Sequence, residues 1–363
     1  MSDPLPWLAL RRVPGLSRRG AHALLDRFGS PEAIFAQPLE GLAALCGWPL
    51  ARALAGAPSP EAEADLARAR ALGLRVLTPD GPDFPPLLRM IPDPPLTLYL
   101  RGRLPPQPSL SIVGSRRATA RGRELARSLA AAIASAGATV VSGLAYGIDR
   151  AAHEGALEAG GRTLAVLAGG LDRPGPRGNR ALAERILAEG GGWLSEHPPG
   201  RASLPRHFPE RNRLISGHSP QTLVVEARAR SGSLWTAAHA LEQGREVLAV
   251  PGPVDRSDCR GTNALIRDGA TVILDAGELL GHVLPGRAGK QSGAGNDAQP
   301  PAEGIRGELL RRLDEGPQEP DELARTLGLT PARLSGLLTE LEIEGRIVRT
   351  GARVVRRPAE GRG

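Results

Sequence analysis

Aromatic side chains make up only 3% of the 363 residues, so a ring inside a polar motif stands out. Lysine is nearly absent as well. Lys290 is the only one, and arginine carries almost all of the positive charge, as a genome rich in G and C would encode it. The two cysteines, Cys46 and Cys259, are too few and too far apart for a disulfide framework or a cysteine metal cluster. No apolar run approaches the roughly 18 residues that read as a membrane span. The start, MSDPLPWLALRR, shows no charged segment followed by an apolar core and a cleavage site, so the expected compartment is the cytoplasm. Against these absences stand a 41% hydrophobic fraction, enough for a sizeable core, and a formal net charge of +7 with a pI near 10.6. That excess of positive charge favours acidic partners such as nucleic acid. A chain of this length holds two or three domains.

Composition divides the chain into four parts. Residues 1–75 are helical in pattern. LALRRVPGLSRRGAHALLDRF reads as a helix-hairpin-helix with its turn at Val13–Ser17, and Leu45–Trp48 followed by ARALAG reads as a weaker copy. Such a hairpin can hold a DNA phosphate on its backbone amides; a helical packing module is the competing reading. Residues 76–284 open with a proline-rich stretch holding two short strands, near Arg75–Leu77 and Leu96–Arg101. Continuously apolar runs at 110–113, 139–142, 163–167, 222–226, 246–250 and 271–274 follow. They alternate with helical stretches at Arg121–Ser135, Asp149–Ala159, Arg180–Ala188 and Ser233–Gln243. That alternation predicts an α/β fold whose parallel sheet is buried on both faces. Residues 285–303 read as a flexible linker. Residues 304–363 read as a helix-turn-helix with a two-stranded wing around Gly351. Thr330 and Pro331 open its second helix, and Leu334, Leu337, Leu338 and Leu341 form its buried stripe.

Two glycine-bearing loops and one polar motif carry the chemistry. SIVGSRR, Ser111–Arg117, and RSGSLWTAAHALEQG, Arg230–Gly244, each follow an apolar run and lead into a helix. Loops in that position aim backbone N–H groups at anions. In the first, Gly114 permits close backbone approach, Ser115 can donate, and Arg116 can pair with a phosphate. In the second, Ser231, Gly232 and Ser233 leave N–H groups free. FPERNR, Phe208–Arg213, adds guanidinium groups, an amide and one ring, a set suited to a phosphate chain that carries bases. VGSR lacks the third glycine of a dinucleotide fingerprint, and no acidic residue stands at the required distance, so no nicotinamide or other cofactor is expected. Asp149 and His153 are spaced as an acid–base pair on one helical face, but read better as a loop organiser and a satisfied histidine. Asp172, Asn179 and Arg180 are polar candidates at a third turn, and no metal motif is present.

In this order, SIVGSRRATARG, VVSGLAYGIDRAAHEGAL, LAVLAGGLDRPGPRGNRALAERI, FPERNRLISG, RSGSLWTAAHALEQGREVLAVPGPV and GTNALIRDGA closely resemble the DNA-processing protein A family (DprA, also called Smf). The resemblance implies an extended Rossmann-like sheet flanked by a helical, helix-hairpin-helix or SAM-like domain and a winged-helix domain. It also implies a non-catalytic protein that binds single-stranded DNA, protects it and loads the RecA recombinase in natural transformation. The resemblance further implies a homodimer, with single-strand-binding protein as a further partner and no membrane contact. Carried over by position, the DNA site is Gly114, Ser115, Arg116, Phe208, Arg211, Asn212 and Arg213. Many members carry a basic residue three positions before the phenylalanine; here Pro205 stands there, and Arg206 beside it is the candidate replacement. The competing reading from another class is a phosphoribohydrolase-like enzyme acting on nucleoside monophosphates. Residues 304–363 hold 11 Arg against 10 Asp and Glu, a weak electrostatic footprint for duplex DNA, so a protein-contact role for the winged helix is equally open.

Overall fold

The computed structural model describes residues 3–284, 302–314, 316–327, 329, 331–350 and 353–356. The chain forms two compact units, Met1–Ser292 and Gly293–Gly363. The expected linker lies almost wholly outside the described residues, as do Thr330 and Gly351.

The first unit is built on nine strands: β1 (Arg75–Leu77), β2 (Leu98–Gly102), β3 (Ser109–Val113), β4 (Thr139–Ser142), β5 (Thr163–Leu167), β6 (Gly192–Ser195), β7 (Gln221–Val224), β8 (Glu246–Ala249) and β9 (Thr271–Val272). They form one sheet in the order β1-β2-β6-β5-β4-β3-β7-β8-β9. All pairings from β6 to β9 in that order are parallel. β2 runs antiparallel to both β1 and β6. The six apolar runs form parallel strands as expected, and β1 and β2, outside those runs, make the whole sheet mixed. The segment between β1 and β2 is rich in proline and holds only the four-residue helix Pro86–Arg89, where a parallel connection is usually made by a full crossover helix. β6 escaped the sequence reading because Trp193 and Leu194 sit among glycines. Gly192 is needed there, since a Cβ would lie 2.2 Å from the Arg103 carbonyl oxygen.

Strand residues alternate between two buried layers. Leu110, Ile112, Val140, Leu223 and Leu248 pack under the helices Ala120–Ser135, Ile148–Glu158 and Ala276–Val283. Val113, Val141, Val166, Val224 and Val247 pack under the helices His207–Gly217 and Ser233–Glu242. The helices expected from periodicity are present to within a residue at either end, including Arg180–Ala188.

The amino-terminal hairpin joins the helices Leu5–Arg12 and Arg18–Phe28, with Gly15 at φ 80° and the Ser17 hydroxyl accepting from the Gly20 N–H at 3.1 Å. A second pair, Leu39–Cys46 and Trp48–Ala55, turns on Gly47 at φ 83°. Trp7, Leu10, Ala21, Leu24, Leu42, Ala51 and Leu54 of these helices share a core of their own. The first helix and the helix Pro60–Ala71 also meet the sheet, where Leu8, Ala9, Ala62, Leu66 and Ala69 share a core with Tyr99, Leu167 and Trp193.

In the second unit, helices Ala302–Asp314, Pro320–Leu327 and Pro331–Ile343 precede an antiparallel pair, β10 (Ile347–Thr350) and β11 (Arg353–Arg356). Leu309, Leu313, Leu323, Leu334, Leu338 and Leu341 close its core against Ile347 and Val354. This is the expected helix-turn-helix and wing.

Candidate nucleic-acid interface

Strand order reverses at β3, with β4, β5 and β6 on one side and β7, β8 and β9 on the other. Ligands of open α/β sheets bind at the carboxyl ends of the strands at such a reversal. A cleft of about 600 Å³ opens there, between the loops that follow β3, β4 and β7 and the start of the helix His207–Gly217. Gly114, Ser115, Arg116, Phe208, Arg211, Asn212, Ser231, Gly232 and Ser233 all line it.

The loop after β3 is held by Glu226, at the end of β7. The Ser115 N–H donates to the Glu226 carbonyl at 2.7 Å. The Glu226 carboxylate accepts from the Thr119 N–H at 3.1 Å and from its hydroxyl at 2.6 Å, an acid at a helix amino terminus where the dipole favours it. The Ser115 hydroxyl accepts from the Arg117 N–H at 3.2 Å, and only 7% of the residue is exposed, so its first role is to shape the turn. Gly114 has a packing reason rather than the expected ligand reason, because a Cβ would meet Ile148 Cγ1 at 2.5 Å. Arg116 is exposed and reaches across the cleft, its guanidinium carbon 4.7 Å from the centre of the Phe208 ring.

FPERNR is helical, and this decides which of its residues face the cleft. Phe208, Arg211 and Asn212 stand at i, i+3 and i+4, one face of a helix, and all three line the cleft. Arg213 stands five positions after Phe208 and points elsewhere. It is 5% exposed and donates to Asp93 at 3.1 Å and to Glu196 at 2.9 Å. The assignment of Arg213 to the DNA site is therefore corrected: it is an internal ion-pair residue. Arg206 is exposed but lines a different, smaller cleft.

Arg211 forms the floor. It donates to the carbonyls of Gly143, at 2.8 Å, and Val166, and its Nε has no partner among the described residues. Burial lowers its pKa to about 10, against the pull of Asp149 and with a further push from Arg116. Burial also raises the pKa of Asp149, which Arg211 opposes. Leu144, buried at φ 57°, turns the neighbouring carbonyls, and Asn179 secures the turn with bonds to Leu144 O at 3.0 Å and Ala145 O at 3.1 Å. Asn179 is thus an internal brace, and Asp172 braces another loop through the Gly200 N–H at 2.7 Å. His153 is fully buried, pairs with the Thr163 hydroxyl at 2.7 Å, and is held neutral by burial with a pKa near 3. It cannot act as an acid–base group in the cleft.

On the far wall, Asn212 donates to the Gly232 carbonyl at 3.3 Å, and the Ser231 and Ser233 hydroxyls pair at 2.8 Å. Ser231 Oγ also takes the Ser233 N–H at 3.4 Å, so the loop offers fewer free amides than its composition suggested. Among the further residues that line the cleft are four that sequence did not assign to it: Arg117, Arg228 and Arg230, all exposed, and Trp235, 62% exposed on the first turn of its helix. An exposed tryptophan beside Ser-Gly-Ser, in a chain so poor in aromatics, was the available signal. Five arginines and one carboxylate, Asp149, line the whole cleft.

A family model for DNA recombination-mediator protein A matches residues 75–283, and one for the DprA winged helix domain matches 294–352. A putative DNA processing protein DprA of Mycobacterium tuberculosis is 38% identical over 311 residues, 77% of this chain and 78% of the relative. Protein Smf of Synechocystis is 42% identical over 210 residues, 56% of this chain and 52% of the relative, so that match spans about half of the relative's length. Among solved structures, DNA processing protein A of Streptococcus pneumoniae superposes with a TM-score of 0.67 at 29% identity, covering 77% of this chain and 98% of that one. DNA processing protein A of Helicobacter pylori, described for its single-stranded DNA binding mode, superposes with a TM-score of 0.52 at 29% identity, covering 58% of this chain and 96% of that one. With its switch-point cleft intact and both family models matched, the chain belongs to the DNA recombination-mediator protein A family, the DprA/Smf proteins.

Proposed function

We propose that this protein binds single-stranded DNA in the cleft at the carboxyl ends of β3, β4 and β7, without turnover. The observation that carries the reading is the pairing of rings with exposed arginines in one crevice: half-buried Phe208 and exposed Trp235 beside Arg116, Arg117, Arg228 and Arg230. Guanidinium groups hold phosphates in any sequence, and rings stack on unpaired bases, each worth about 1–3 kcal/mol. Duplex DNA keeps its bases stacked internally and cannot use the rings. The Helicobacter pylori relative's described single-stranded binding mode supports the same ligand.

In the cell, this activity protects incoming single strands from nucleases and loads the RecA recombinase onto them during natural transformation and recombination. The protein works in the cytoplasm as a homodimer, with single-strand-binding protein as a further partner. Family membership supports this role, and among the described residues no helix is long and apolar enough to cross a membrane. A gel-shift comparison of oligo-dT with blunt duplex across salt concentrations tests the reading. Single strands should bind far more tightly, and equal affinity would overturn it. Release of free base from nucleoside monophosphates would instead support the enzymatic alternative.

A further inference from the structure

A second cleft, of about 280 Å³, adjoins the first. The start of the helix His207–Gly217 separates them: Pro205, Phe208 and Pro209 line the large cleft, and Arg206, His207 and Glu210 line the small one. Its remaining walls come from the helix Leu5–Arg12 and from the loop after β6, which contributes His197 and Arg201.

The charges in this cleft do not cancel. Arg12 is neutralised by buried Asp65 at 2.7 Å. Arg11 is not: among the described residues it donates only to the Thr97 hydroxyl, at 3.4 Å. Burial lowers its pKa although Glu196 stands near, and the Glu196 carboxylate already accepts from Arg213 at 2.9 Å and Arg18 at 3.1 Å. Arg201 and Arg206 are exposed and have no ion pair among the described residues. The His197 and His207 rings stack with centres 4.1 Å apart, and burial, then Arg11, holds His197 neutral with a pKa near 4. Two carboxylates line the cleft, Asp65, which pairs with Arg12, and Glu210, exposed on the rim; Glu196 stands near Arg11 but is shared with Arg213 and Arg18, so arginines outnumber carboxylates among the lining residues. Guanidinium groups converging in a concavity without counter-charge stand at a cost unless an anion visits, and their fork geometry suits phosphate oxygens.

Resting on the single-strand reading above, we propose that this second cleft takes a backbone phosphate of the strand held in the first. The strand crosses the helix start at Pro205–His207, and its footprint extends onto the amino-terminal helices. The anion is a phosphodiester of the same strand, because consecutive residues of one helical turn line both clefts.

The test uses the full chain carrying Arg201→Ala and Arg206→Ala together, two exposed positions, titrated with oligo-dT of increasing length. Short oligonucleotides should bind variant and wild type alike. Above a threshold length, wild-type affinity should exceed the variant's by about tenfold, and the variant's log–log salt slope should be smaller by about 0.7 per lost phosphate contact. Equal affinity at every length, or the same loss at every length, overturns the proposal while leaving the single-strand reading intact. Failure of the wild type to bind any oligonucleotide overturns both.

Discussion

Arg116 places its guanidinium carbon 4.7 Å from the centre of the Phe208 ring, joining the loop after β3 to the helix that carries FPERNR. The contact makes the two residues one unit: the cation orients the ring, and the ring holds a long, exposed side chain over the cleft. Cation–π pairs at partly exposed sites are worth about 0.5–1 kcal/mol. Arg116→Ala should weaken oligo-dT binding and reduce the log–log salt slope by about 0.7. Phe208→Ala should lose about 1–3 kcal/mol of stacking with little change in slope. In a double-mutant cycle measured by fluorescence anisotropy, the two losses should fail to add by about 0.5 kcal/mol or more. Strict additivity would show that the two act separately on DNA.

Trp235 offers a second platform in the same cleft. Trp7 and Trp193 are buried and Trp48, half exposed, does not line the cleft, so a strand in the cleft should quench emission from Trp235, 62% exposed, in preference to theirs. Trp235→Phe should abolish most of the quenching and keep most of the affinity. Trp235→Ala should cost about 1–3 kcal/mol. Unchanged quenching in Trp235→Phe would place the strand elsewhere.

Arg213 should matter for stability and not for phosphate binding. Its partner Glu196, 7% exposed, also accepts from Arg18, so one carboxylate ties the amino-terminal hairpin to the helix of FPERNR. Removing one member of a buried pair costs about 3–5 kcal/mol, so Arg213→Ala should lower the melting temperature by about 10 °C while leaving the salt slope unchanged. Burial opposes ionisation of Glu196, but Arg213, then Arg18 and Arg11, outweigh it and pull its pKa down from 4.5 to about 2. A folded pKa below the unfolded value gives stability that is present above about pH 4.5 and is lost as pH falls toward 2, on the order of 3 kcal/mol. Glu196→Gln should remove that part of the acid dependence in urea titrations between pH 5 and 2.5. An unaltered pH profile would mean that the pair does not hold the helices together.

Gly143 bears directly on the floor of the cleft. A Cβ there would lie 2.7 Å from Asp149 Oδ2 and 2.8 Å from Arg211 Cζ. Gly143→Ala should therefore displace Arg211 and reduce single-strand affinity several-fold, with a smaller effect on melting than Arg213→Ala. Wild-type affinity would show that Arg211 contributes nothing to the bound state.

The second unit should be dispensable for affinity. The cleft lies wholly within Met1–Ser292, and residues 304–363 are close to charge balance. Deleting 293–363 should change oligo-dT affinity by less than about tenfold, or ~1.4 kcal/mol. A larger loss in gel shift would give the winged helix a direct role.

Strand and helix periodicity, and the order of loops after the strands, were legible in the chain itself. Apolar runs bounded by glycine and proline depend on local contacts, and β3, β4, β5 and their helices fall where those runs stand. That Gly114–Arg116, Phe208, Arg211, Asn212 and Ser231–Ser233 stand out as candidates was legible for the same reason: glycine-bearing loops after strands and polar motifs are local features, and these residues line one cleft. Tertiary structure decided which of them share a space. The helical phase of FPERNR turns Arg213 toward Glu196 and leaves Phe208, Arg211 and Asn212 facing the cleft. Strand pairing made β2 antiparallel and seated β6, whose few apolar residues carry no pattern. Non-local packing brought Trp235, Arg228 and Arg230 to the rim and set Arg11 of the first helix beside Arg206. Contacts between residues so far apart leave no periodic trace in sequence, because they are selected by the shape of the folded surface and not by the neighbours along the chain.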